Sequence, residues 1–435
     1  MILLILYNFL FSLVFLLALP FYAYKMVKRG KYRDGILERF GVYSPALRKE
    51  LRGKTVIWIQ AVSVGEVMAA LKLIDELKAQ YPQAKILLTT TTARGYQVAT
   101  QKVPADVVVA YYPLDFYAPV LSAFLTFRPQ LILLMEGEIW PNMMWMAKRA
   151  GIPVGLANAD LSRRSERRYK RFGILFRPIF KIFTWVFTQT REDEGRFDPL
   201  GVRKEALQTV GSLKFDTAIP TRPLPFDAGK LLILCGVGQA RPIFVAGSTH
   251  EGEEEVIIRV YQKLKEQFPS LFLILAPRHD ERTKEVEAIL DRFGVGYSKR
   301  TEMVESGVID LAGSDCLLIN TTGELRAWYE AATVIVIGNS LVGHKGGHNI
   351  IEAAITGHPV IYGPNMQDWE QIAAQFVCAG AAIQVATEDA LILEIAGLLN
   401  NPSQKEEVGQ KAKDLILKNM GAAKRTVEII SRCVK

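Results

Sequence analysis

From Ile2 to Tyr24 the chain reads ILLILYNFLFSLVFLLALPFYAY, with no charged residue and only Asn8 and Ser12 as clearly polar breaks. A helix rises 1.5 Å per residue, so about 20 such residues cross a bilayer's hydrocarbon core. The stretch is therefore expected to form a membrane anchor over residues 1–28. A cleaved leader would need a shorter apolar region, a basic stretch before it and a small-residue cleavage site after it, and none is evident. Instead Lys25, Lys28, Arg29, Lys31 and Arg33 follow at once. Positive flanks stay inside, which places the rest of the chain on the cytoplasmic side of the inner membrane. Pro20 can bend the segment, so a monotopic anchor dipping into one leaflet stands beside a single-pass one.

Beyond the anchor, short apolar runs alternate with amphipathic stretches. Thr55–Gln60, Lys85–Thr90, Val107–Tyr111, Leu131–Met135, Pro153–Ala157 and Trp185–Thr188 read as buried strands, with helical patterns such as Val67–Gln80 between them. Continuous apolar strands separated by helices predict a parallel sheet covered on both faces. The segment Ala218–Gly229 (AIPTRPLPFDAG), with three spaced prolines, reads as a linker. A second alternation follows at Ile243–Ala246, Leu271–Leu275, Cys316–Ile319, Val334–Ile337, Pro359–Tyr362 and Ala382–Val385. The pattern predicts an α/β protein of GT-B architecture. Its two Rossmann-like domains, 29–220 and 221–435, would face a cleft and bind ligands at the strands' carboxyl ends.

Composition narrows the class. The 435 residues suit two domains, and 49% apolar with 23% charged residues excludes wholesale disorder. A net charge of +8 points to an anionic partner without choosing among nucleic acid, phospholipid and nucleotide. Four scattered cysteines with no CxxC pair argue against a zinc ribbon and a disulfide framework.

Candidate chemistry sits where strands end. Ser63-Val64-Gly65-Glu66 follows the first strand and opens a helix. A carboxylate there can take a proton from an attacking hydroxyl, or Ser63 and Glu66 form a capping box; the two readings are compatible. Met135-Glu136-Gly137-Glu138-Ile139-Trp140-Pro141-Asn142 brings two carboxylates to the sheet edge. Such groups are costly to bury unless they bind something, while the plainer reading makes them acids at a helix start. Gly211-Ser212-Leu213-Lys214-Phe215-Asp216 places a lysine just before the linker, where it can neutralise a phosphate or sit solvated.

In the second half, Gly247-Ser248-Thr249-His250-Glu251 joins strand to helix; its free N–H groups can hold a phosphate, or Ser248 and Glu251 form another capping box. Pro277-Arg278-His279 offers a guanidinium suited to phosphate. Thr321-Thr322-Gly323-Glu324 opens a further helix. The loop Gly343-His344-Lys345-Gly346-Gly347-His348-Asn349 leads into Ile350-Ile351-Glu352. Its paired glycines allow close backbone approach to an anion, and Glu352 can accept hydrogen bonds from ribose hydroxyls. Asn349 and Glu352 as a simple helix start is the competing reading.

The five histidines lack metal-helix spacing, and no GxxxxGK[ST] loop is present, so neither a metal site nor NTP hydrolysis is expected. A basic run (Arg163, Arg164, Arg167, Arg168, Lys170, Arg171, Arg177, Lys181) interleaved with Tyr169, Phe172, Phe176 and Phe180 reads as an amphipathic helix for an anionic membrane surface. With an anchor upstream, nucleic acid is not the expected partner.

Taken in order, SVGE (63–66), MEGEIWPN (135–142), GSLKFD (211–216), GSTHEGEE (247–254), PRHDER (277–282), TGEL (322–325) and GGHNIIEA (346–353) resemble the 3-deoxy-D-manno-octulosonic acid (Kdo) transferases. The resemblance implies a GT-B glycosyltransferase that moves Kdo from CMP-Kdo to a lipid A precursor (lipid IVA), without a metal or other cofactor. It implies Glu66 as general base, and Glu136 and Lys214 as groups stabilising the transition state. It assigns CMP binding to Pro277, Arg278, Thr322, Gly323, Glu324, Asn349, Ile350, Ile351 and Glu352. Ser248, Thr249, Gly346, Gly347 and His348 remain candidate phosphate loops from the pattern itself. Gln60 stands where histidine is common in the family, Asp160 where arginine is common, and Thr322 where methionine is frequent. The alternatives are a nucleotide-sugar epimerase of the same fold, against which the anchor speaks, and a non-catalytic membrane scaffold.

Overall fold

The computed structural model describes residues 2–29, 34–219, 223–238, 240–306, 309–343 and 346–433. The chain divides into two compact units, Met1–Thr217 with Asn419–Lys435, and Ala218–Lys418.

The first unit contains β1 (Val56–Gln60), β2 (Lys85–Thr90), β3 (Val108–Tyr111), β4 (Leu131–Met135), β5 (Val154–Ala159), β6 (Trp185–Thr188) and β7 (Leu207–Thr209), in the order β3-β2-β1-β4-β5-β6-β7. Every pairing is parallel. Successive strand side chains point to opposite faces. Val56 and Trp58 accordingly join one core with Phe127 and Phe180, while Ile57 and Ile59 join the other with Leu73 and Leu77. Burial on both faces is why these strands read as unbroken apolar runs. Strand order reverses between β1 and β4, and the crevice at such a switch point is where open α/β sheets bind ligands.

The second unit repeats the plan with β8 (Ile243–Thr249), β9 (Phe272–Pro277), β10 (Tyr297–Lys299), β11 (Cys316–Leu318), β12 (Val334–Ile337), β13 (Val360–Tyr362) and β14 (Ile383–Gln384). The order is β10-β11-β9-β8-β12-β13-β14, all parallel, with its switch point between β8 and β12.

The second domain was expected to run to residue 435; instead the C-terminal helix Ala422–Ser431 belongs to the first unit. It packs on the helix Val64–Gln80 and buries Ala422, Ala423, Val427 and Ile430. The Asp216 carboxylate accepts from the N–H groups of Gly421 (2.5 Å) and Ala423 (2.7 Å), serving donors that a helix start leaves open. Arg425 Nε donates to the Val210 carbonyl at 2.8 Å. Asp216→Ala is expected to cost about 1–2 kcal/mol, as loss of a cap does. Urea unfolding would read that cost, and limited proteolysis should cut the released C-terminal helix first.

The first helix, α1 (Ile2–Arg29), is continuous with Pro20 inside it, and its span Leu4–Phe21 is long and apolar enough to cross a membrane. It does not stand free of the unit. Tyr7 Oη donates to Asp115 Oδ2 at 2.9 Å, and the Asn8 and Asn142 amides pair at 2.9 and 3.0 Å. Phe11 and Phe15 pack on Phe116, with ring centroids 4.9 and 5.1 Å away. Asp115 is wholly buried and also accepts from the N–H groups of Asn142 (3.0 Å) and Met143 (3.1 Å). Burial pushes its carboxyl up to about 7, against the pull of these donors. Asn8, the polar break in the apolar run, is thus a docking residue. Ile5, Phe9, Val14, Leu16 and Leu17 are exposed.

The basic run, expected as one amphipathic helix, forms two: Arg163–Arg171 and Gly173–Phe180. Tyr169 turns inward and packs edge-on against Phe176 and Phe180, while Arg163, Arg164, Arg167, Arg168, Arg171 and Arg177 remain exposed. Lys31, Arg33, His344 and Lys345 lie outside the described residues.

Candidate active site

At the first switch point, three polar groups singled out in the sequence come together. Ser63 caps the helix Val64–Gln80, its hydroxyl accepting from the Glu66 N–H at 3.3 Å. The Glu66 carboxylate turns back and accepts from the Val62 N–H at 2.8 Å, so the capping arrangement closes one residue upstream of the cap itself. Glu66 is only 7% exposed. Burial pushes its carboxyl up to about 7; the Val62 and Ser63 bonds oppose the rise, and the charges of Glu136 and Glu138 add to it. A carboxylate poised near neutrality at a strand end suits proton abstraction.

Glu136 lies one residue beyond β4, with a left-handed backbone (φ 59°). A non-glycine residue held there is strained, and such strain gathers at functional sites. Burial raises its carboxyl, Lys214 pulls it down, Asp160 raises it and the Asn158 side chain lowers it. Asn158, itself left-handed (φ 54°), accepts from the Leu213 N–H at 2.8 Å, which ties β5 to the short helix Leu213–Asp216 carrying Lys214. Glu66, Glu136 and Lys214 therefore lie within electrostatic reach in sequence. Asp160 stands in the same neighbourhood. Gln60, the last residue of β1, is buried and its Nε2 donates to Thr91 Oγ1 at 3.1 Å.

The second unit's switch point is organised by a residue that the sequence reading passed over. The buried Glu253 carboxylate accepts from four N–H groups: His250 (3.0 Å), Asn339 (2.6 Å), Ser340 (2.9 Å) and Leu341 (2.8 Å). It stitches the loop after β8 to the loop after β12. Glu254, equally buried, accepts from Thr249 Oγ1 (2.9 Å) and pairs with Arg282 (2.7 Å). The expected Ser248–Glu251 capping box is absent, because the helix Glu253–Gln267 starts later, with left-handed Gly252 at its cap. Thr249 is thereby turned inward as structure, while Ser248 adopts φ 58° at the loop's start.

The glycine pair also has a structural reason. Gly347 has φ 74°, and a Cβ there would lie 2.5 Å from Met366 Sδ; a Cβ on Gly346 would lie 2.9 Å from Asn339 Nδ2. Gly346 N–H donates to Gln367 Oε1 and Gly347 N–H to the Asn339 carbonyl, each at 3.0 Å. Both donors that were expected to cradle a phosphate are already used.

An arginine and three histidines gather nearby. Arg278 is exposed at the end of β9, and no ion pair engages it among the described residues. The His250 ring stacks on His348 (centroids 5.0 Å apart) and meets His279 edge-on (5.8 Å). Burial, with Arg278 and the other two histidines adding to it, lowers His348 to about 3, so it is neutral near pH 7. Glu352, in the first turn of Ile350–Ala354, is raised by burial and drawn down by Arg326 and Arg278. Asn349 caps this helix, accepting from the Ile351 N–H at 3.0 Å. Ile350 and Ile351 point into the core, so only their backbone can meet a ligand. Thr322 and Gly323 are exposed, whereas Glu324 is held by Arg300 at 2.8 Å and by Thr321. Pro277 closes β9. Among the described residues no cluster of three or more His, Cys, Asp or Glu is set to hold a metal.

Comparison with known proteins gives concordant results. The family model described as 3-deoxy-D-manno-octulosonic-acid transferase (kdotransferase) matches residues 34–217. A 3-deoxy-D-manno-octulosonic acid transferase of Haemophilus influenzae is 31% identical over 417 residues, covering 95% of each chain. That of Bordetella pertussis is 31% identical, covering 86% of each. Among solved structures, a UDP-GlcNAc 2-epimerase from Neisseria meningitidis superposes with a TM-score of 0.59 at 15% identity, over 87% of this chain and 100% of that one. A glycosyltransferase from Rickettsia africae does so with a TM-score of 0.57 at 12% identity, over 88% and 99%. These two likenesses concern the fold alone, two Rossmann-like units of the GT-B kind.

Proposed function

The chain belongs to the 3-deoxy-D-manno-octulosonic acid transferases, glycosyltransferases all, and on that premise we propose that it moves Kdo from CMP-Kdo to a lipid A precursor such as lipid IVA. Membership favours this reading over an epimerase or a silent scaffold. The observation that carries the catalytic part is Glu66, buried at the first switch point with its carboxyl held near 7.

In this reading Glu66 takes the proton of the acceptor hydroxyl as that oxygen bonds to the anomeric carbon of Kdo. The bond from that carbon to the CMP phosphate breaks, and its electron pair leaves with the phosphate. Arg278 and the exposed backbone at Thr322–Gly323 meet the charge that grows there, and donors already oriented favour the transition state over the ground state. Glu352 accepts from the ribose. Glu136, strained and paired in charge with Lys214, lines the acceptor side. Residues of this chain supply each role, with no metal invoked.

The anchor reading takes its monotopic form. A helix bonded along its first half to a folded body, through Tyr7, Asn8 and Asp115, suits a protein seated in one leaflet better than a bare crossing. The exposed arginines of 163–177 would meet anionic headgroups on the cytoplasmic side.

Transfer from CMP-Kdo to lipid IVA by the purified full-length protein, read by mass spectrometry, tests the function. Gain of one or more Kdo masses is expected; folded protein that gains none would exclude this donor–acceptor pair. Arg278→Ala should weaken CMP-Kdo binding by about 10- to 100-fold, the worth of a charged hydrogen bond. Isothermal titration with CMP would measure it, and unchanged affinity would remove Arg278 from the phosphate site.

A further inference from the structure

On the first unit, the helices Tyr117–Phe127 and Pro141–Ala150 leave a groove of 870 Å³ between them, closed at one end by Leu4 of α1. Its walls are apolar: Leu121, Phe124, Leu125, Trp145, Met146 and Ile152 line it. No acidic side chain lines it, and at the end away from α1 stand Arg128 and Arg149. Both arginines are exposed, and among the described residues neither is paired with a carboxylate. Left-handed Arg128 (φ 48°) ends the first helix, and Arg149 lies in the last turn of the second.

We propose that this groove holds one acyl chain of an anionic bilayer phospholipid, whose phosphate is taken by Arg128 and Arg149. Three observations argue for that occupant. The groove is continuous, through Leu4, with the exposed apolar surface of α1. The helix Pro141–Ala150 is 10 residues long, about 15 Å, which is half the ~30 Å hydrocarbon core and so the depth of one leaflet. Two unpaired guanidiniums at the mouth of an acid-free groove complement a phosphate.

The occupant is not the sugar acceptor. Arg128 to Gln130 lie in the turn entering β4, whereas Glu136 leaves β4 at its other end. The five residues of that strand span about 16 Å. A headgroup at Arg128 and Arg149 is therefore at the opposite edge of the sheet from the carboxylates. The lipid seats the unit at a fixed depth while the acceptor is handled elsewhere.

Trp145 lines the groove and reports on it. Full-length protein in non-ionic micelles is titrated with phosphatidylglycerol brominated on its acyl chains, or with the phosphatidylcholine of the same chains, while tryptophan fluorescence is followed. Phosphatidylglycerol should quench a saturable fraction at a concentration at least fivefold below phosphatidylcholine. Trp145→Phe should abolish that fraction. Arg128→Gln with Arg149→Gln should raise the half-quenching concentration for phosphatidylglycerol at least fivefold and leave phosphatidylcholine unchanged, with circular dichroism confirming the fold. Saturable quenching that survives Trp145→Phe, or is indifferent to headgroup or arginines, would overturn the assignment. So would displacement of the brominated lipid by stoichiometric lipid IVA, which gives the groove to the acceptor. Sedimentation showing a dimer lost in the arginine variant gives it to a second copy, and likewise overturns the proposal.

Discussion

Replacing Glu66 by glutamine is expected to lower Kdo transfer by about 10²- to 10⁴-fold, the usual worth of a general base, while CMP binding stays intact. Glutamine keeps an oxygen for the Val62 N–H, so the loss should fall on kcat rather than on the fold. The wild-type rate carries a second signature. With the carboxyl held near 7, the rate should climb about tenfold per pH unit below 7 and level off above it, and this limb should vanish in the variant. Stability should move the other way. Between the ordinary 4.5 and about 7 the folded protein keeps a proton that the unfolded chain has released, so stability falls as pH rises through that window. The full penalty, about 3 kcal/mol at most, applies above it. Glu66→Gln should therefore be inactive yet melt higher than wild type at pH 8, with the gain gone at pH 4. A glutamine variant that keeps its activity would remove Glu66 from the proton transfer.

Glu253→Ala is expected to do the largest damage to the fold. Four N–H groups from two loops lose their acceptor together. Each buried donor left unsatisfied costs about 1–3 kcal/mol, and water entering the space left by the side chain relieves part of that. A net loss of about 4 kcal/mol is roughly a quarter or more of what holds a typical domain together. Calorimetry should show the second unit melting roughly 10 °C lower. CMP affinity should fall with it, because the loops after β8 and β12 flank His250 and His348. If the variant melts like wild type, these loops are held by something other than Glu253.

Much of this was legible in the chain because a parallel sheet buried on both faces writes itself as apolar runs. The strands around each switch point were found that way, and Glu66, Glu136 and Arg278 follow from standing where such runs stop. Strands β7 and β10 were missed. Each has three residues, LQT and YSK, lies at a sheet edge and carries too little apolar length to register. Gly346 and Gly347 misled for a different reason: a glycine needed to clear Met366 looks the same in sequence as one that clears a ligand. Glu253 went unnoticed because an acid in a first helical turn has an ordinary explanation, and three of its four acceptor bonds reach residues more than 80 positions away. The C-terminal helix was given to the wrong unit because an amphipathic pattern specifies a buried face without naming the surface that buries it.

Helix Ala422–Ser431, held by Asp216 and Arg425, also sets a timetable. The second unit is an insertion within the first, entered after Thr217 and left before Asn419. During synthesis its whole sequence leaves the ribosome before the last piece of the earlier unit exists. At about 5–20 residues per second, the two hundred residues between keep the nascent first unit without its final helix for some 10–40 seconds. Through that interval the apolar side of the helix Val64–Gln80 that will receive Ala422 and Val427 stays uncovered. A ribosome that stalls late would release a complete second unit on an unfinished first one. Completion of the first unit therefore rests on the helix Ala422–Ser431, made after the whole second unit and needed by what was made first.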